Sequence, residues 1–325
     1  MKQETTMQAP ANALSVNRKK PWYKRLGNNI LQHPLLYLMA LIVLTYYIIF
    51  SYAPMYGVTI AFKDFKPTKG IFGSEWVGLK HFKRFFQSRD CWRVIKNTLS
   101  INIGMLLVAF PLPIIFALLL NEIRSKKFQR ITQTITYMPH FVSAMVVCSL
   151  LLQFSRDDGI LTLVLNKLGL VELTNLFTHD EYFQPLYIGR HVWKDLGWDS
   201  IIYFAALSGI DTEMYEAACM DGAGRWRRMW HITIPALLPT IMILLIMRIG
   251  SLMSLGWENI VLLDPDGTIQ SAEVISSYVY RYGFLKGGTN FSFGAAVDLF
   301  NSVINIILLV SANWISRKTT ESSLW

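Results

Sequence analysis

Long uncharged runs of apolar residues constrain this chain more than any motif does. An α-helix rises 1.5 Å per residue and the hydrocarbon core of a bilayer is about 30 Å thick, so roughly 20 such residues make one crossing. Residues 35–53 form the clearest run, and 98–120, 131–154, 234–255 and 293–315 form four more. Several contain prolines, among them Pro111, Pro113 and Pro139. These would break a soluble helix, but in a bundle neighbouring groups can satisfy the carbonyls they free. Only 16% of the residues are charged, against about a quarter in ordinary soluble domains. The sequence therefore predicts an all-α integral membrane protein.

A sixth crossing is weaker. Residues 200–210 are apolar over only half a span, and Arg190, His191, Lys194, Asp195 and Asp199 precede them. The reading extends this helix back to about Pro185, with its polar half turned to protein or water. Six crossings put both chain ends on one side. Arg124, Lys126, Lys127 and Arg130 follow the second span, and Arg225, Arg227 and Arg228 follow the fourth. Arg18, Lys19, Lys20, Lys24 and Arg25 precede the first span, while Arg317 and Lys318 follow the last. Short loops rich in Lys and Arg stay in the cytoplasm, so all four segments fall inside. Residues 1–34 then read as a cytoplasmic tail rather than a cleaved leader, 35–315 as the transmembrane domain, and 316–325 as a cytoplasmic end. Residues 54–96 disagree, since they would lie outside yet hold nine Lys or Arg. Within them, residues 77–86 alternate apolar and basic positions at helical spacing, as an amphipathic helix at the outer interface does.

The net charge of +9 belongs to this topology and to anionic headgroups. No basic patch interleaved with aromatics points to nucleic acid. Cys91, Cys148 and Cys219 show neither a disulfide framework nor metal-ligand spacing. The histidines form no HExxH pair and no serine lies in a Gly-x-Ser-x-Gly elbow. Asp157 and Asp158 read as a solvated outer loop.

The densest chemistry lies between spans four and five, at about residues 211–239. Tyr215 to Met220 favour helix, Gly222 and Gly224 turn the chain, and a second short helix is expected to run to Pro235. The result is an elbow facing the cytoplasm. Its small residues Ala217, Ala218, Gly222 and Ala223 admit a close approach by another backbone, and Glu216 and Asp221 offer charges for pairing. By composition alone, an amphipathic loop whose basic residues only set topology would read the same way.

The order of residues is more specific. Glu216-Ala217-Ala218, three residues, Gly222-Ala223, then Ile232-Thr233-Ile234-Pro235 and Pro239 closely resembles the EAA loop of bacterial ABC importer permeases. Met229 stands where that family often has Phe, and Ile234 where Leu precedes the proline; both changes conserve size and polarity. Trp76-Val77-Gly78-Leu79 with Phe82, Asn97-Thr98, and Tyr137-Met138-Pro139-His140 are similar to the maltose-permease type. Gly197-Trp198 through Asp211, and Ala312 through Lys318 closing on Ser323-Leu324-Trp325, are similar to its polysaccharide-permease subgroup. Members of that subgroup import oligosaccharides, often acidic ones such as alginate or aldouronate fragments.

The resemblance implies the type I importer permease fold, with six transmembrane helices and the coupling loop between the fourth and fifth. It implies a multi-pass subunit of the bacterial cytoplasmic membrane that catalyses no covalent chemistry. Glu216, Ala217, Ala218, Asp221, Gly222, Ala223 and Pro235 would dock on a separate ATPase. The implied partners are a second permease subunit, two ATPase subunits that bind the ATP and Mg, an extracytoplasmic solute-binding protein and an oligosaccharide. No cofactor is expected in this chain, and it has no Gly-x-x-x-x-Gly-Lys-Ser/Thr phosphate loop of its own. The alternatives are a secondary transporter or channel acting alone, and a membrane enzyme, for which no clustered carboxylates are found.

For the substrate path the expected residues are Arg248, Lys194, Asn301 and Asn305. Arg248 lies in the middle of the fifth run, where an arginine costs about 2.5–3.5 kcal/mol on insertion scales, so it should face the bundle interior. Two readings stay open: an ion pair with Asp298 on the sixth span, or a cavity charge that meets a sugar carboxylate. Asn301 and Asn305, one turn apart, would line the same interior or bond across helices.

Overall fold

The computed structural model describes residues 29, 31–264, 269–285, 290–319 and 323–324. The basic cluster at 18–25 and Trp325 lie outside the described residues. The chain divides into two units, residues 1–57 and 58–325. The first contains helix α1 (Pro34–Tyr47).

In the second unit the helices follow in the order α2 (Lys80–Phe86), α3 (Cys91–Gly104), α4 (Pro111–Asn121), α5 (Lys126–Tyr137), α6 (Ala144–Phe154) and α7 (Ile160–Lys167). The long α8 (Asp180–Ser208) comes next, then α9 (Thr212–Met220), α10 (Arg225–Arg228) and α11 (Ile234–Gly250). α12 (Trp257–Leu263), α13 (Ile275–Val279) and α14 (Phe291–Thr319) complete the unit. One departure from an all-helical chain is a two-residue antiparallel pairing of Lys63–Asp64 with Glu75–Trp76. It precedes α2, the amphipathic segment, whose His81 and Phe85 are buried.

Among the described residues, Pro34–Phe62, Cys91–Asn121, Arg225–Gly250 and Phe291–Lys318 are long and apolar enough to cross a bilayer. A fifth crossing qualifies only as a bent pair, Lys126–Phe141 with Ala144–Phe154, which meet at 95°. The span expected at 131–154 is therefore broken in two. Pro139 lies in a 3-10 turn, Val142 is extended, and Ser143 caps α6 by accepting from the Val146 amide. α8 is continuous over 29 residues, including Pro185, but its charged middle keeps it outside that set, so six apolar crossings are not found.

Three of the four π-helical turns among the described residues follow one rule. Ile48–Tyr52, Met105–Ala109 and Met229–Thr233 each end two residues before a proline, respectively Pro54, Pro111 and Pro235. Proline has no N–H to donate and its ring crowds the carbonyl four residues back. A one-residue widening of the preceding turn relieves that clash and lets the helix continue.

Three buried clusters hold the second unit together. α3, α6, α8 and α12 share one around Ile101, Cys148, Phe183 and Ile260. α2, α3, α13 and α14 share a second around Phe85, Val94, Ile275 and Phe293. α4, α8 and α11 share a third around Ala117, Tyr203 and Leu237. Helix α8 also packs closely on α5, where a Cβ on Gly197 would lie 2.3 Å from the Thr136 carbonyl oxygen; only glycine fits there. Asn97 donates to the carbonyls of Gln270 and Glu273 at 2.7 and 2.9 Å, and Thr98 Oγ1 accepts from the Ile275 amide at 3.0 Å. The loop before α13 is thereby fastened to α3. Near the chain end, Asn313 Oδ1 accepts from the Leu324 amide at 2.8 Å.

Candidate functional site

The elbow at 211–239 is built by its caps. Asp211 accepts the Glu213 amide at 2.9 Å and starts α9. At the other end Gly222 has φ +76°. The Gly222 amide donates to Cys219 O at 3.0 Å and the Ala223 amide to Ala218 O at 2.9 Å. These two bonds make a Schellman stop, whose left-handed position favours glycine. Among the described residues, apart from its chain neighbours, nothing lies within 4 Å of where a Gly222 Cβ would be. The constraint at Gly222 is thus its backbone, and a side chain there would project from the surface.

Glu216, Ala217, Asp221, Gly222 and Pro235 are exposed, and Ala218 and Ala223 are partly so. The structure brings Glu216 through Ala223 onto one protruding turn. Beside them the apolar side chains of Met214, Met220 and Trp226 are also exposed. The turn is tied to the bundle by a 2.9 Å hydrogen bond between Tyr215 Oη and the buried Thr233 Oγ1. Arg228 Nη1 donates to Cys219 Sγ at 2.8 Å, closing α10 onto α9. Met229 and Ile234 pack on the cluster around Leu237.

One expectation for this segment fails. The second helix of the elbow does not stop at Pro235. It starts at Arg225, widens into the π turn, and continues as a single helical stretch to Gly250. Pro235 follows just after that π turn, which makes room for its ring and lets the helix run on.

That stretch carries Arg248 into the interior. Two cavities meet there. One of about 500 Å³ is lined by Phe110, His191, Trp198, Asp199, Tyr203 and Arg248, among others. One of about 330 Å³ includes Asn102, Arg190, His191, Lys194, Asp195 and Arg248 in its wall. Arg248 and Lys194, far apart in sequence, thus line the same space. Asn301 and Asn305 line neither cavity. Asn305 braces the chain after α11, accepting from the Met253 amide at 3.0 Å and donating to Ser254 Oγ at 2.8 Å. Asn301 Oδ1 is buried without a hydrogen-bond partner among the described residues. Arg248 and Asp298 form no ion pair among the described residues; Arg248 Nη2 instead lies 3.4 Å from Met105 Sδ, a weak acceptor.

The polar half of α8 has a specific occupation. His191, Lys194, Asp195 and Trp198 recur at helical spacing on one face, and that face grips the break between α5 and α6. Lys194 Nζ donates to the carbonyls of His140 and Val142 at 2.6 and 3.0 Å, two acceptors that the break frees. Asp195 receives His140 on one carboxylate oxygen at 2.9 Å and His191 on the other at 3.0 Å. Trp198 stacks on the His140 ring, centroids 4.2 Å apart. Sequence reading missed His140, His191 and Arg190 as members of this site. The clue was the i, i+3, i+4, i+7 recurrence of polar residues in a helix otherwise fit for lipid.

Residues 109–321 match the family described as binding-protein-dependent transport system inner membrane component. The chain belongs to this family. Its relatives within it include protein LplB of Bacillus subtilis, 45% identical over 89% of this chain and 91% of that protein. Another is the polygalacturonan/rhamnogalacturonan transport system permease protein YteP of the same organism, 42% identical over 98% and 99%. A crystal structure of a bacterial ABC transporter involved in the import of the acidic polysaccharide alginate has a chain 40% identical to this one. It aligns with a TM-score of 0.80 over 91% of this chain and 99% of that chain. A bacterial alginate ABC transporter in complex with an alginate pentasaccharide-bound periplasmic protein aligns with a TM-score of 0.81 at 38% identity, over 92% and 100%. As an inner membrane component of such a system, this chain is a permease subunit, and its family transports rather than catalyses.

Proposed function

We propose that this chain is one of two permease subunits of an ATP-driven importer that takes oligosaccharides, acidic ones among them, from an extracytoplasmic binding protein. In this reading it crosses the membrane of a bacterium six times with both ends inside. The bent pair α5–α6 makes the third crossing and α8 the fourth. α8 is too polar for lipid because its charges are spent on the break and on the cavities. The elbow then lies in the cytoplasm between the fourth and fifth crossings. Glu216, Ala217, Ala218, Asp221, Gly222, Ala223 and Pro235 meet an ATPase subunit there, and ATP and Mg are bound by the ATPase pair.

The observation that carries this reading is mechanical. A single helical stretch runs from Arg225 at the elbow to Arg248 in the cavity wall, a distance of roughly 35 Å at 1.5 Å per residue. A displacement of the elbow on closure of the ATPases is transmitted along that rod to the wall of the solute path. The Tyr215–Thr233 bond and the cluster around Leu237 make the elbow move with the rod. Alternating access then requires no chemistry from this subunit, only that the cavities open to opposite sides in the two positions of the rod.

The test is to reconstitute the chain with its partner permease, the ATPase pair and the binding protein in liposomes and to follow oligosaccharide uptake. Uptake that needs both ATP and the binding protein is expected. Uptake by the isolated chain without ATP would mean a transporter acting alone and would overturn the proposal.

A further inference from the structure

Arg190 is a strongly basic residue of the site that meets the Tyr187 ring and hydroxyl but forms no ion pair among the described residues. It is 6% exposed and faces the 330 Å³ cavity. Its guanidinium carbon lies 5.1 Å from the Tyr187 ring centroid, and its Nε has no hydrogen-bond partner among the described residues. A buried guanidinium without an anion is costly, and such residues in membrane proteins normally have a partner or mark a solute path. The cavity supplies no free anion. Asp195 is the acid in its wall, and both carboxylate oxygens are taken by His140 and His191. Asp199 lines the neighbouring cavity. Lys194 is spent on the His140 and Val142 carbonyls. Arg248 lies against the Met105 thioether and shares the neighbouring cavity with Asp199, which it attracts without forming an ion pair among the described residues.

We infer that this cavity is a carboxylate subsite, in which Arg190 and Arg248 hold the acid group of one uronic-acid unit of the transported chain. The inference rests on the importer reading above and adds the group that is recognised. The planar fork of a guanidinium matches a carboxylate with two parallel hydrogen bonds, a geometry that a sugar hydroxyl does not fill. The volume lies within the range of about 300–1,000 Å³ of small-molecule sites. The adjoining 500 Å³ cavity shares His191 and Arg248 with it. A neighbouring sugar unit extends into that space, beside Trp198 and Tyr203. Arg190 thus determines specificity, and Arg248 is shared between consecutive units.

The complete importer, with partner permease, ATPases and binding protein, is reconstituted in liposomes. Uptake is compared for trigalacturonate and for its methyl ester, which keeps the shape and removes the charge. Wild type is expected to favour the acid. Arg190→Gln should lower acid uptake on the order of tenfold, lower ester uptake far less and keep the ATPases bound, with the same binding protein in both preparations. Arg190→Lys, which keeps the charge and loses the fork, should fall between, and it decides the matter if the Gln variant fails to assemble. An acid-to-ester ratio unchanged by substitution at Arg190 overturns the subsite, as does an equal fall in both uptakes, which marks a structural role. ATP-driven uptake in wild type that is indifferent to the ester, or uptake of neither form, also overturns it. Uptake independent of ATP overturns the importer reading itself.

Discussion

Lys194 occupies the point where the bent pair α5–α6 meets α8, and its ammonium is held by two carbonyl oxygens at 2.6 and 3.0 Å. In sequence it reads as a charge along a solute path. In the fold it is a strap, because the broken turn at 140–143 leaves carbonyls without a helical partner and Lys194 satisfies two of them. A hydrogen bond from a charged donor contributes about 1.5–3 kcal/mol. Lys194→Met should therefore lower the stability of the purified protein by about 2–4 kcal/mol, read as a clear fall in Tm in detergent. Uptake should fall in proportion to the loss of folded protein. A variant with wild-type Tm and abolished uptake would show that Lys194 acts on solute. Gly222 is the contrasting case: it is exposed, has open space where a Cβ would stand and is held at φ +76°, so its requirement lies in the turn it makes and in what approaches from outside.

Among the elements, α8 and the elbow test the topology. Cysteines placed singly at Lys126 and Arg227 should be protected from an impermeant thiol reagent in intact cells, and one at Thr178 should be labelled, in a chain lacking Cys91, Cys148 and Cys219. Labelling at 126 or 227 from outside would contradict the six-crossing reading. Asp266, the other outer position expected from sequence, lies outside the described residues. The positions of the apolar helices and of the Gly222 turn were legible in the residues themselves. Uncharged runs located the apolar helices, and the Glu216-to-Pro239 pattern located the elbow before any coordinates. The 95° break at 142–143 was not legible, because Pro139 alone does not distinguish a kink from a break. Nor was the continuity of the helix past Pro235, since a proline in sequence reads as a helix stop and the π turn that absorbs it shows only in the backbone. The cavity was only half legible. Arg248 stood out as a lone charge in an apolar run, whereas Arg190 was hidden among other charges and acquired its meaning only when burial separated it from them.

At the scale of the whole molecule, the account is that a surface elbow and an interior cavity are two ends of one helix, so that a partner acting on the first sets the state of the second. The direct test is made at the elbow, far from any solute. Gly222→Asp forces a side chain out of a left-handed turn, at a cost of about 1–2 kcal/mol in local backbone energy, and places a charge on the exposed surface. Glu216→Ala removes the carboxylate that a basic group of the partner would meet, a loss of about 2–5 kcal/mol if that pair is buried on docking. Sugar-stimulated ATP hydrolysis and sugar uptake are measured together in liposomes holding the complete importer. Gly222→Asp should insert normally, retain the partner permease and lose both activities, with Glu216→Ala showing the same defect more mildly. Normal stimulated hydrolysis and uptake in both variants would contradict the account, because the rod would then have nothing to push it.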